Sequence, residues 1–360
     1  MRTSTHDMRI GGTQNVDTRY SGVFMDLSDG PQFLIVPPIK DRFFSINSTD
    51  AYLGNKPFIS SKTGDTNGLT LAYTGPDWEG ELPAGVREMK MPQNEAIVVL
   101  RILVKNKDDN AAVTEVQNGF KLMSLKDGQL VPTTRGKDLP ILPDLKGLDY
   151  FDHMIKAMNA MPPSGDQAQI WHMLSQVGVK QGEPFSSKDL DPATQKGLAQ
   201  GIEDGRKIIA WRAKERGFET KNGYRTAYGL GDDTDDYMYR TEWAYQGATS
   251  MSDTEALLFN IFTDGDGEVL DGSHTYTLTI GADHMPPVNA FWSITSYDTN
   301  RFNLIPNEHY HYSVGDRTPS LKYNADGSLT IVLQSKPPES GLGNWIPTPE
   351  SGAFKLLWRF

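Results

Sequence analysis

The sequence predicts a mainly β protein with a helical middle segment. An N-terminal β-barrel or sandwich-like domain comes first, and a C-terminal jelly-roll-like antiparallel β domain comes last. Three observations predict this. Short apolar runs punctuated by Gly, Pro, Asn and Asp recur through the first third at spacings of roughly 10 to 20 residues. The hydrophobic period then lengthens to a helical one. From Asp271 to Phe360 it returns to strict alternation. The expected boundaries are an N-terminal β domain over 1–130, a connector and helical segment over 131–250, and the jelly-roll-like domain over 251–360.

In the first part, Val23–Leu27 leads into the turn Ser28-Asp29-Gly30-Pro31. Gln32–Val36 follows and stops at Pro37-Pro38, which bring no amide donors to a ladder. Arg42–Asn47 and Leu69–Thr74 are further strands, and Glu95–Val104, the most hydrophobic segment, is the expected centre of a sheet. Asn110–Phe120 has the composition of one short helix, suited to plug an end of a barrel. Val131–Leu148, rich in Pro, Gly and charge, is a connector. Phe151, Met154, Ile155 and Met158 then form a helical face that ends at Pro162-Pro163. A second helix spans Asp166–Val177. The longest begins at Asp191-Pro192, where Asp caps the free amides and Pro fits the first turn. Gly197, Gly201 and Gly205 share one face of it, which implies close packing against a sheet or helix. Asp235–Tyr245 is a further helix. In the last part, Tyr276, Leu278 and Ile280 lie on one side of a half-buried strand. Phe291–Tyr297, Leu329–Gln334 and Ala353–Phe360 are strands, with Asn324–Ser328 a hairpin turn.

Composition excludes several functions. The 360 residues include 15 Phe, 14 Tyr and 7 Trp, enough apolar area to build more than one core. Cysteine is absent, so disulfides, thiolate nucleophiles and Cys-ligated metals are excluded. The net charge of -11 repels phosphate, and no basic stripe with interleaved aromatics occurs, so nucleic acid is not an expected partner. No apolar run approaches the ~18 residues that span a bilayer, so the protein is not expected to be transmembrane. The opening MRTSTHDMRIGG lacks the apolar core of a signal peptide. The expected location is cytoplasmic, or periplasmic or secreted if a leader has been removed. Exposed strand edges make a homodimer plausible.

Two groups of blocks carry a resemblance. One is NVDTRYSGVFMDLSDGP (15–31) with GPDWEGELPAGV (75–86). The other is LDGSHTYTL (270–278), PPVNAFWSITSYD (286–298), YSVGDRTPSLKYNADGSLTI (312–331) and NWIPTP (344–349). Together they resemble the bacterial family of paired domains of unknown function, DUF1254 at the N terminus and DUF1214 at the C terminus. The resemblance implies two all-β domains, the second jelly-roll-like, with a helical insertion, and it implies no chemistry. Where the family has a plain Asn-Arg-Tyr stretch before the GDRT motif, this chain has Glu308-His309-Tyr310-His311-Tyr312.

Several residues are candidates for a site. Asp316 and Arg317, between Gly315 and Pro319, can close a tight turn, or Arg317 can hold a carboxylate or phosphate bidentately. Asn15, Asp17, Arg19 and Ser21 share one polar face of an extended strand, costly to bury unless paired with each other or a ligand. His309 and His311, two apart, can ligate one metal from a strand, with His274 or His284 as a third ligand. Asp264 and Asp266 cluster oxygen ligands for calcium without the spacing of an EF-hand. No other cofactor is indicated, and a divalent metal is the weaker reading at all four positions. Tyr237, Arg240, Trp243, Trp292, Tyr297 and Trp345 can line a cleft for a small molecule or serve as glue between segments.

Two functions stay open. The first is a protein that binds a small molecule in a cleft between two β domains, with Arg19, Arg317 and the aromatic set as contacts. The second is an enzyme, hydrolase-like or metal-dependent, using Asp17, His311 and Asp316 with Arg317 at the domain junction. The second requires these side chains to converge on one cavity.

Overall fold

The computed structural model describes residues 12–133, 145–215, 218–219, 223–226, 228–229, 236–247 and 251–360. Its first part runs β1 (Thr18–Asp26), β2 (Gln32–Val36), β3 (Phe44–Thr49), β4 (Ile59–Ser60), β5 (Leu69–Thr74), β6 (Val86–Lys90), β7 (Glu95–Leu103), α1 (Asn110–Gly119), β8 (Lys121–Lys126) and β9 (Gln129–Pro132). Two sheets result, ordered β1-β7-β3-β4 and β6-β5-β2-β8-β9. Alternation along the strands sends Phe44, Ile46, Val98, Leu100 and Ile102 of the first sheet into one cluster with Leu34, Val36, Leu71 and Tyr73 of the second. Val113 of α1 is buried in the same core. The barrel half of the sequence expectation is corrected, because neither sheet closes. Strand β4 has only two residues, too few to carry the ladder round, and β6 and β9 end the other sheet.

The middle contains α2 (Gly147–Ala160), α3 (Ile170–Ser175), α4 (Pro192–Glu215), two short strands β10 (Phe218–Glu219) and β11 (Arg225–Thr226), and α5 (Tyr237–Gly247). Phe151, Ile155, Trp171 and Leu174 form its core, with Leu198 and Ile202 of α4 packed against it. Asp191 caps α4 as its sequence implies, accepting from the amides of Ala193 at 2.9 Å and Thr194 at 3.1 Å. The glycine face of α4 needs correction. A Cβ built on Gly197, Gly201 or Gly205 meets no atom of the described residues within 4 Å, because α4 packs through its other faces. No helix among the described residues is long and apolar enough to cross a membrane.

The last part holds β12 (Leu258–Ile261), β13 (Tyr276–Ile280), β14 (Ser293–Asp298), β15 (Ser313–Gly315), β16 (Leu329–Gln334), β17 (Trp345–Pro347) and β18 (Phe354–Arg359). The sheets are β10-β11-β12-β18-β14-β15 and β13-β16-β17. Ile294, Leu356 and Trp358 meet Ile280, Ile331, Leu333 and Ile346 between them. The jelly-roll and fully antiparallel expectations are both corrected. The loop after β16, which contains Pro337-Pro338, brings the chain back beside Val332, so β17 pairs in parallel with the second half of that strand. Strand β18 lies centrally between β12 and β14 and is buried along its whole length. One of its faces serves the core, and the other carries Lys355, Leu357 and Arg359 toward the N-terminal part.

Candidate binding cleft at the domain junction

Asn15, Asp17, Arg19 and Ser21 each find partners within the protein. Asn15 turns the chain, its Oδ1 accepting from the amides of Asp17 at 2.7 Å and Thr18 at 3.3 Å. Arg19 reaches α1 from β1, donating to Thr114 Oγ1 at 2.7 Å and to Asn110 Oδ1. Ser21 Oγ accepts from Gln117 Nε2 of the same helix at 2.7 Å. Arg19 therefore fastens α1 onto the sheet.

Asp17 points the other way, toward the C-terminal part. Its Oδ1 accepts from Arg317 Nη2 at 2.5 Å, and its Oδ2 accepts from Ser293 Oγ at 2.6 Å. Arg317 Nη1 donates to the carbonyl of Val104 at 2.6 Å, and its guanidinium lies 4.7 Å from the Phe291 ring centroid. Phe291 in turn meets Phe43 edge-on at 6.1 Å. Thus the two motifs singled out in the sequence, 300 positions apart, form one ion pair at 2% exposure of the aspartate side chain. Gly315 makes the approach feasible, since a Cβ there would lie 2.3 Å from the carbonyl oxygen of Trp292.

Beside this pair opens a cleft of about 720 Å³, with walls from both β parts: Asp17, Lys107 and Asp108 on one side, Ser293, His311 and Arg317 on the other. His311 is fixed by Nε2, which lies 2.8 Å from the carbonyl of Trp345, and its ring stacks on the Trp345 indole at 5.7 Å. A carbonyl only accepts, so Nε2 carries the proton. Burial, reinforced by the nearby charge of Lys107, pushes the His311 pKa down, and the ring is neutral with Nδ1 as a lone-pair acceptor. Asp316 is not among the lining residues. Its Oδ1 accepts from the Trp292 amide at 3.2 Å, and burial raises its pKa.

The other candidates lie elsewhere. Trp292, Tyr297 and Trp345 are buried. The Tyr297 hydroxyl donates to the carbonyl of Gln14 at 2.6 Å, and Trp345 Nε1 donates to that of Gln334 at 2.8 Å. Tyr237, Arg240 and Trp243 stand on α5, where Tyr237 donates to the carbonyl of Gln167 at 3.1 Å and Trp243 meets Tyr239 edge-on. None of the three lines the junction cleft. The strand expected at 309–311 is a loop turned at Tyr310, whose φ is 49°. His309 lies 3.4 Å from Glu308, and His311 has only Nδ1 left to offer a metal. His274 and His284 are exposed, beside Ser273 and Asp283 respectively. Asp264 closes its own turn by accepting from the amides of Asp266 and Glu268, both at 3.0 Å. Among the described residues no three His, Asp or Glu side chains are grouped to hold a metal ion.

Sequence reasoning missed Ser293, Lys107 and Asp108. Ser293 reads as one more residue of an apolar strand, and Lys107-Asp108-Asp109 reads as a solvated run. Only the capping pattern carries a signal: Asn106 Oδ1 accepts from the Asp108 amide at 2.9 Å and fixes the turn that presents both charges.

The molecule thus has a mixed β and α architecture, with β-sheet domains in its N- and C-terminal parts, a helical region between them and a polar cleft where the β parts meet. Residues 1–124 match the model described as protein of unknown function DUF1254, and residues 255–360 match that of DUF1214. The chain belongs to the family built from these paired domains. It is similar to the VPA0106 protein of Vibrio parahaemolyticus, with 25% identity and a TM-score of 0.69 over 97% of this chain and 85% of that one. A protein from Burkholderia cenocepacia is 14% identical at a TM-score of 0.47 over 100% of this chain and 76% of that one, too remote to carry an argument. No curated protein matches the sequence.

Proposed function

We propose that the junction cleft binds a small polar molecule. The observation that carries this is the convergence of Asp17, Arg317 and His311 on one space of about 720 Å³, a size suited to a small ligand. Asp17 and Arg317 engage each other, so they form a rigid floor, while His311 offers an unengaged ring nitrogen above it. Ser313 of β15 also lines the cleft and has no hydrogen-bond partner for its hydroxyl among the described residues, which makes it the place to test the reading. Small molecules that raise the melting temperature of the native protein should fail to do so for Ser313→Trp, whose side chain fills the space. Equal shifts in both proteins would put the binding site elsewhere.

A second reading, an enzyme acting through Asp, His and Arg at the same junction, is favoured by His311 alone. A neutral imidazole with one nitrogen anchored and the other open is the form a general base takes. Asp17 suits that role less, because both its oxygens already accept hydrogen bonds. Turnover of a bound molecule by the native protein and its loss in His311→Gln, with binding retained, would favour this reading over plain binding.

A further inference from the structure

We propose that the ligand of the junction cleft is a small zwitterion of the amino-acid type, with its carboxylate on Lys107 and Arg317 and its ammonium on Asp108 and His311. The proposal rests on the binding reading above and follows from which cleft groups are already engaged. Asp17 has one partner on each oxygen. Lys105 Nζ donates to Asp41 at 2.8 Å. Asp109 accepts from Arg42 at 2.6 Å and from the Lys105 amide at 2.8 Å, so the third residue of the charged turn faces protein.

Four groups remain. Among the described residues Lys107 Nζ has a single contact, the carbonyl of His309 at 3.5 Å, although an ammonium has three donors. Arg317 uses two of its five N–H donors, and its buried Nε has no hydrogen-bond partner, with Asp316 Oδ1 3.7 Å away. These two are cationic donors. The Asp108 carboxylate has no partner among the described residues, and His311 Nδ1 has none either. These two are acceptors. A simple anion would satisfy the first two and share the cleft with the Asp108 carboxylate, whereas an amine would satisfy the last two and share it with the Lys107 ammonium. A molecule carrying both charges meets all four. Sequence neighbours Lys107 and Asp108 fix the two ends of the ligand side by side, because the Asn106 cap holds their turn in one conformation.

The test is a calorimetric and thermal-shift panel at pH 7.5 with the native chain: the standard amino acids, the matching decarboxylated amines, the matching deaminated acids, and neutral polyols. At least one amino acid should bind, and its affinity should exceed that of its own amine and its own acid by roughly a hundredfold each, because each analogue lacks one charged end and with it two contacts, at about tenfold per contact. Lys107→Met and Asp108→Asn, both at exposed positions that leave the core untouched, should each weaken it by roughly tenfold, the loss of one contact. Binding by acids or polyols alone, or an amino acid indifferent to both substitutions, overturns the zwitterion and leaves the cleft reading standing. No binding by any member of the panel overturns both.

Discussion

The junction between the β domains buries several charges below its cleft, whereas the helical middle leaves apolar side chains and glycines open to solvent. Asp17, Lys355 and Arg359 are 2%, 3% and 6% exposed, while Ile208 and Trp211 of α4 are 44% and 56% exposed. Residue type alone would reverse this order. What decides it is the supply of partners. At the junction two sheets and the strap 12–17 bring carbonyls, hydroxyls and rings to each charge. Arg359, for example, donates to the Tyr297 hydroxyl at 2.7 Å and to the carbonyl of Thr13 at 3.0 Å. On α4 none of the described residues covers the outer face. The contrast sharpens into opposite responses to substitution.

The largest effect is expected at Asp17. Asp17→Ala would leave Arg317 and Ser293 without their acceptor in a nearly dry site. Breaking a buried pair from one side costs about 3–5 kcal/mol, and the partial exposure of Arg317 places this case near the lower end. Urea unfolding checks it. An unchanged midpoint would show that the two motifs meet without holding the domains together.

How much of this was legible in the sequence divides along the same line. Strands β2, β5 and β16 could be read to the residue, because the run is bounded by Pro in the first, by Gly in the second, and opened by the turn Asn324–Ser328 in the third. Strand β6 could not, since Val-Arg-Glu-Met-Lys is mostly solvent-exposed and lacks a buried stripe. Strand β17 escaped notice because it has three residues and ends on a proline. For the cleft, the NVDT and GDRT motifs each show locally that polar side chains need partners. That they satisfy one another is a long-range pairing that no local pattern encodes. The glycine face of α4 misled for the complementary reason: spacing shows which residues share a face, and says nothing of what lies opposite.

A second, smaller effect concerns Lys355, which separates matched from unmatched charge within the junction. Its Nζ donates to Asn260 Oδ1 at 2.8 Å and sits 4.3 Å from the Phe302 ring centroid, with no carboxylate partner among the described residues. Burial first, and then the charge of Arg359, push its pKa from 10.5 down to about 7. Above pH 7 the native amine is neutral while the unfolded chain stays protonated up to 10.5. The unfolded state then binds more protons, so stability should rise with pH across that window, by at most about 1.4 kcal/mol per unit. Lys355→Met should remove the slope and stabilise the protein near pH 7 by roughly 2 kcal/mol. Guanidinium melts of both proteins at pH 7, 8 and 9 decide it. Parallel curves would mean that the lysine keeps its charge when folded.

The smallest effects come from a single change, glycine to alanine, made in each region. At Gly315 the new Cβ would press on the Trp292 carbonyl of the paired strand, and β14 and β15 must part to admit it. Overpacking of this kind costs about 1–3 kcal/mol. It also shifts Arg317 relative to Asp17, so the loss should shrink when Asp17 is already alanine. At Gly201 the same methyl group enters open space on an exposed helix face. There it lowers the entropy of the unfolded chain and improves helix propensity, a gain of about 1 kcal/mol. Thermal melts of the two variants should therefore move in opposite directions. A loss at Gly201 would reveal a surface packed against that stripe in solution, and with it a covered helical middle.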